Sequence, residues 1–240
     1  MQIIGVDLHT RQQTIAMLNV ETGEIVEKTL PHEGDSVREF YSTLAGPTRV
    51  GIEATGSMQW FLELMEELGI DCQVGHPAKI RAAEPRKQKH DRRDAALVLQ
   101  LLVENRFPSI WMPSREERDV RSLILYRHQW VRIRTRVQNA LQAIALSHGL
   151  RRGSSLWSKA GQHAIASLSL TRYTAERRTA LQSLYRHLEA QIEDLNRKVE
   201  ELAWQRPQAR RLMTHPGVGP ITALATETWE NRSASWMGKR

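Results

Sequence analysis

No stretch of this 240-residue chain approaches eighteen consecutive apolar residues, although hydrophobic residues make up 40% of it, so no membrane-spanning helix is expected. Cysteine is almost absent. The single Cys72 excludes an internal disulfide framework and a Cys-based zinc cluster. No signal-peptide pattern opens the chain, because Met1 leads directly into a strand-like segment with an acid at position 7, and a cytoplasmic protein is expected. Internal repeats and low-complexity tracts are missing too, and the length favours one or two domains.

The net charge of +7 conceals a division. Residues 1–80 hold 5 Lys/Arg against 12 Asp/Glu, whereas residues 81–240 hold 29 against 15. The basic part reads as a polyanion-binding surface, since clustered Arg and Lys release counterions condensed on nucleic acid, or as a solvated face. For the acidic part, cations are the obvious partners.

Hydrophobic alternation predicts strands over Gln2–Leu8, Thr14–Val20 and Ile25–Leu30, joined by a turn at Thr22-Gly23. An amphipathic stretch Ser36–Leu44, a strand Arg49–Ala54, a helix Met58–Leu68 and a strand Ile70–Gly75 follow. The order βββαβαβ suits a mixed sheet with helices on its faces. After Pro77 no strand is expected. Asp91 opens a helix to about Arg106, with Leu97, Leu101 and Leu102 on its apolar face. A long helix is predicted from Ser114 to about His148, with a seam of Leu123, Trp130, Ile133, Val137, Leu141 and Ile144. A second seam, Leu181, Leu184, Leu188, Ile192, Leu195, Val199 and Leu202, is expected to pair with it as an antiparallel hairpin or across a dimer. Between them Gly149–Thr171 reads as a loop with one short helix, and His215–Ala223 as a Gly-flanked turn entering a helix.

Four carboxylates stand out against this background. Asp7 ends the first strand, Glu53 ends the fourth, and Asp91 and Asp94 share the first turn of a helix, three apart and therefore on one face. Hard divalent cations prefer oxygen ligands, and phosphodiester chemistry with two magnesium ions gathers several carboxylates in a small volume. With strands one and four adjacent, all four acids can converge. Simpler roles exist for each alone: Asp91 as an N-cap with Asp94 favouring the helix dipole, Asp7 capping a turn toward His9, Glu53 at a surface strand end. Yet Asp7 and Glu53 sit in buried-strand contexts, where ionised acids are costly unless a cation or hydrogen bonds offset them.

Ile-Gly-Val-Asp7-Leu-His, Gly-Ile-Glu53-Ala-Thr-Gly, Lys89-His-Asp91-Arg-Arg-Asp94-Ala and Pro216-Gly-Val-Gly-Pro-Ile-Thr-Ala223, taken in this order, resemble the DEDD transposases. These are insertion-sequence recombinases related to Piv-type invertases. The resemblance spans nearly the whole chain and implies an RNase H-like (RuvC-like) α/β domain over 1–107, a long-helix coiled-coil region over 108–206 and the start of a C-terminal domain over 207–240. It further implies Mg2+, as one ion or two, with Asp7, Glu53, Asp91 and Asp94 as catalytic metal ligands. The activity implied is cleavage and exchange of DNA strands guided by a structured bridge RNA, in a homodimer or tetramer associated with the nucleoid. Family members continue well past the Pro-Gly-Val-Gly-Pro motif to a serine proposed to attack DNA, and neither Ser233 nor Ser235 matches it. A fragment or truncated product is therefore expected.

Positive charge surrounds the helix acids. Arg81, Arg86, Lys87, Lys89, Arg92 and Arg93 are expected to hold a phosphate backbone, with Lys87 and Lys89 foremost, or else to form a solubilising loop. Arg115, Arg118, Arg121, Arg127, Arg132, Arg134 and Arg136 make a second patch for RNA or DNA, or an exposed helix face. Gly217 and Gly219 resemble the hairpin of helix-hairpin-helix modules, whose backbone N–H groups face a phosphate; an interhelical turn is the plainer use. Trp204, Trp229 and Trp236 suit base stacking or, more commonly, packing. Two other functions fit the acids: a structure-selective nuclease such as a Holliday-junction resolvase, and a non-catalytic nucleic-acid binder.

Overall fold

The computed structural model describes residues 1–83, 91–151 and 153–230. They fall into two compact units, one ending at Met112 and the other starting at Pro113.

The first unit is built on a mixed sheet in the order β3-β2-β1-β4-β5-β6. Its elements are β1 (Gln2–Leu8), β2 (Gln12–Asn19), β3 (Ile25–Pro31), α1 (Ser36–Ser42), β4 (Thr48–Glu53), α2 (Gln59–Glu67), β5 (Asp71–Gly75), α3 (Pro77–Ala82), α4 (Asp91–Val103) and β6 (Ser109–Ile110). Antiparallel hairpins place β2 beside β1 and β3 beside β2, and β4 joins β1 in parallel from Gln2↔Thr48 to Val6↔Ile52. The arrangement is that of an RNase H-like domain, as expected.

β1 is apolar on both faces because helices cover both. Ile4, Val6 and Leu8 pack with Val50, Ile52 and Val74 against Val37 and Tyr41 of α1 and Phe61 and Met65 of α2. Fully buried side chains such as Phe61 and Ile52 each contribute about 1.5–3 kcal/mol. On the opposite face, Ile3 and Ala16 meet Ala95, Val98, Leu99 and Leu102 of α4. Of the three residues expected on the apolar face of α4, Leu101 and Leu102 are buried and Leu97 is half-buried.

Two short elements depart from expectation. Strand character does not end at Pro77: Val74↔Ile110 and Gly75↔Ser109 pair antiparallel. Two residues of strand are too few for alternation to register. α3, six residues long, starts on Pro77, whose fixed φ suits the first helical position.

The second unit is helical. α5 (Arg115–Ser147) opens with a capping box, the Ser114 side chain accepting from the Glu117 N–H while Glu117 accepts from the Ser114 N–H. At about 1.5 Å per residue its 33 residues extend roughly 50 Å. A 3-10 turn (Gly153–Trp157), α6 (Lys159–Ala166), α7 (Arg172–Gln205), α8 (Pro207–Leu212) and α9 (Pro220–Glu230) follow. α5 and α7 run antiparallel within one chain, since Arg127 reaches Asn196 while Arg134, further along α5, reaches Glu189, further back on α7.

Their apolar contacts form two clusters, not one continuous seam. Val120 and Ile124 pack with Val199, Ala203 and Leu224. Val137, Leu141 and Ala145 pack with Leu156, Ile165, Tyr185 and Leu188. Ile133 and Leu184, expected in the seams, are instead 41% and 42% exposed, and Ile124 and Tyr185 are buried. Along a helix with 3.6 residues per turn, neighbouring apolar positions compete for one interface, and α6 and the 3-10 turn draw Tyr185 inward. Among the described residues no helix is long and apolar enough to cross a membrane.

Candidate active site

The two strand acids occupy one edge of the first unit because of a pattern repeated in the sequence. Gly5-Val6-Asp7 and Gly51-Ile52-Glu53 are each glycine, aliphatic, acid, and the glycines are register partners on adjacent parallel strands. Val6 and Ile52 face the α1/α2 core. Period-two alternation therefore turns Gly5, Asp7, Gly51 and Glu53 toward α4. Asp7 and Glu53 lie one residue beyond the last paired position, Val6↔Ile52, as expected of acids at strand ends.

Gly5 and Gly51 explain how α4 reaches this layer. A Cβ on Gly5 would overlap the Ala95 carbonyl oxygen and the Leu99 amide nitrogen and stand 2.9 Å from Leu99 Cα. On Gly51 it would meet the Leu102 Cδ1 at 2.7 Å. The helix backbone thus rests on β1 where a side chain is missing. Asp94 immediately precedes Ala95 in the chain and is half-buried. Asp91 opens the same helix, and its side chain lies outside the described residues.

Polar partners already accompany the strand acids. His9 Nε2 stands 3.0 Å from Asp7 Oδ2, and the Arg81 guanidinium lies 3.7 Å from Glu53. The carboxylates are 15% and 29% exposed, so each has given up much of its hydration and gains from a close polar or charged neighbour. The donors are hard carboxylate oxygens, the chemistry Mg2+ prefers. Among the described residues, however, no three His, Cys, Asp or Glu side chains stand close enough together to hold a metal ion. Asp7 and Glu53 share an edge on the face that α4 covers.

The expected phosphate-holding residues divide. Arg86, Lys87 and Lys89 lie outside the described residues, as does the side chain of Arg92. Arg93 is exposed on the opening turn of α4. In the second unit, Arg118 donates to the Pro113 carbonyl, Arg127 to Asn196 and Arg134 to Glu189. Arg121 donates to the Thr228 carbonyl at the end of α9 and lies over the Trp229 ring. Arg121, Arg127 and Arg134 thus join helices, whereas Arg118 ties α5 to the residue before its own N-cap. Arg132 and Arg136 remain exposed.

Gly217, with φ +82°, turns the chain between α8 and α9, and Gly219 precedes α9. Trp204 is 56% exposed; Trp236 lies outside the described residues. Sequence reasoning missed Gly5 and Gly51 as spacers and Arg81 as a partner of Glu53. The repeated glycine-aliphatic-acid tripeptide was the available signal for the first two, whereas nothing in the spacing of Arg81 pointed to Glu53.

The sequence model of the DEDD transposases of the IS110 type, described as "Transposase", matches residues 4–148. A putative transposase, y4pF/y4sB, from Sinorhizobium fredii is 25% identical over 99% of this chain and 64% of its own length. A probable family 20 transposase from Pseudomonas aeruginosa is 26% identical over 92% of this chain and 66% of its own. The transposase for insertion sequence element IS1111A from Coxiella burnetii is 25% identical, with 78% and 53% covered. The chain spans less than two thirds of the length of each of these relatives.

Proposed function

Because the chain belongs to the DEDD transposase family of insertion sequences, we propose that it takes part in Mg2+-dependent cleavage and exchange of DNA strands, using Asp7, Glu53, Asp91 and Asp94. The observation that carries this reading is the pairing of Val6 with Ile52, which sets Asp7 and Glu53 side by side on the face that α4 covers.

In this reading the four acids hold Mg2+, which supplies Lewis-acid stabilisation of the attacking and leaving oxygens of a phosphodiester. Asp7 and Glu53 contribute from a stiff sheet, which limits the reorganisation needed on binding. Asp91 and Asp94 contribute from one turn of α4. Arg81 and His9, which now accompany the strand acids, release them and turn to phosphate oxygens. Arg86, Lys87, Lys89, Arg92 and Arg93 hold the backbone, and Gly217 and Gly219 offer amides at the α9 N-terminus to a further phosphate. The basic excess of residues 81–240 supports a second polyanion, a structured guide RNA. Strand exchange needs more than one active site, so a homodimer or tetramer near the nucleoid fits.

The test is Asp7→Ala in the full chain. Unchanged nucleic-acid affinity with lost Mg2+-dependent cleavage is expected, and cleavage that survives removes the site. Binding indifferent to Mg2+ with no cleavage of any DNA form would make the chain a binder. Sequencing RNA that co-purifies with the chain separates guided recombinase from resolvase: one structured species is expected, and DNA-competent protein free of RNA counts against guidance.

A further inference from the structure

On the sheet face opposite α4, α1, α2 and the β1–β2 turn enclose a cavity of about 450 Å3, a volume typical of small-ligand sites. Thr10, in its wall, is three residues beyond Asp7, a chain reach of at most about 10 Å.

The wall has a distinct chemistry. Trp60, 39% exposed, meets His32 edge to face with centroids 4.7 Å apart. His32 Nδ1 lies 3.4 Å from the Thr10 carbonyl, which assigns the ring proton to Nδ1 and leaves Nε2 an acceptor. That Nε2 is buried and has no hydrogen-bond partner. Burial, reinforced by nearby His9, holds the imidazole below its ordinary pKa against the raising effect of the Thr10 hydrogen bond. The ring is therefore neutral at pH 7. Asp35, Glu63 and Glu67 add three carboxylates, against one guanidinium, Arg38, already paired with Glu67 at 2.6 Å, and the Gln59 amide, which donates to Glu63 Oε1 at 2.6 Å.

Acceptors thus outnumber donors around an aromatic wall. Such a site repels a phosphate and suits a flat ring carrying N–H groups. We propose that the cavity receives an unpaired nucleobase carrying an exocyclic amino group, guanine, adenine or cytosine in preference to thymine or uracil, swung out of the nucleic acid handled by this unit. The inference rests on the nucleic-acid reading above. Trp60 supplies the stacking surface, and Glu63 and His32 accept from the amino edge.

The experiment compares full-chain binding, by fluorescence anisotropy, to an all-thymine DNA strand and the same strand with one guanine, with an RNA arm using uracil. The native chain is expected to prefer the guanine strand in at least one arm, which identifies the source of the base. Trp60→Leu should weaken that strand by roughly 5- to 150-fold, the loss of one base–aromatic stack, and leave the all-pyrimidine strand unaffected. Glu63→Gln, on the same surface, should reduce the preference while keeping the stack. Equal binding of both strands by the native chain in both arms overturns the proposal, as does a preference that survives both substitutions. A chain that binds neither strand overturns the nucleic-acid reading itself, a separate result.

Discussion

The sheet unit and the helical unit bring their elements together by opposite means. In the first, α4 settles onto β1 and β4 where Gly5 and Gly51 present no side chain. In the second, α5, α7 and α9 are joined by long polar side chains: Arg127 to Asn196, Arg134 to Glu189 and Arg121 to the Thr228 carbonyl. The contrast changes how the charge division reads. The basic excess beyond residue 80 looked like free nucleic-acid surface, yet several of its arginines are spent inside the helical unit. A residue count weights a buried Arg and an exposed one equally; their hydration differs greatly.

The sharpest way to break this contrast is to fill the glycine sites. Gly5→Ala should destabilise the first unit at or above the top of the usual ~1–3 kcal/mol for overpacking, because the obstructing atoms are backbone. Gly51→Ala should cost less, since Leu102 can turn aside. Urea unfolding ranks the two, and a Gly51 variant as damaged as the Gly5 variant would remove the argument from backbone contact.

Exchanging arginines sharpens the other half. Arg134→Met should lower stability by up to about 1 kcal/mol with nucleic-acid affinity intact, since its partner Glu189 is partly solvated. Arg132→Ala with Arg136→Ala should leave stability within about 0.5 kcal/mol but weaken binding and reduce the salt slope by up to about 2. Identical binding losses in the two variants would erase the distinction between joining and exposed arginines.

The smallest expected effect concerns Glu227. Burial raises its pKa, as does Glu117, against the lowering influence of Arg206 and of a hydrogen bond from the Ala209 backbone. An acid that is harder to ionise folded than unfolded costs stability once pH rises through the ordinary carboxylate range, and costs nothing below it. Glu227→Gln should therefore raise the unfolding midpoint at pH 7, with the gain vanishing below about pH 4. A variant less stable than the parent at pH 7 would show that the ion pair with Arg206 outweighs desolvation.

Much of the sheet unit was readable in advance because alternation and turn residues report on neighbours in sequence. β1 to β5 follow from such signals, whereas the adjacency of β1 and β4, a pairing across more than forty residues, entered only as a condition for the acids to converge. β6 and α3 escaped because their stability comes from β5 and the sheet edge, contacts that no local window contains. In the helical unit the span of α5 from Ser114 to about His148 was clear from its apolar periodicity, whereas the choice between Ile133 and Ile124, or Leu184 and Tyr185, depended on where α6 and α9 dock. The strand acids could be found from their tripeptides. Their companions could be found less completely: His9 was visible two residues from Asp7, and Arg81 was not.

The missing side chain at Gly5 also sets a machining tolerance. Moving Leu99 Cα from 2.9 Å to an ordinary carbon–carbon contact of about 3.5–4.0 Å would raise α4 by roughly 0.6–1 Å above the strands. Metal coordination accepts errors of only about 0.2 Å. Any ion shared between the strand acids and the helix acids would then be gripped from one side alone, so the smallest residue in β1 works as a gauge block for the largest charge the site is proposed to hold.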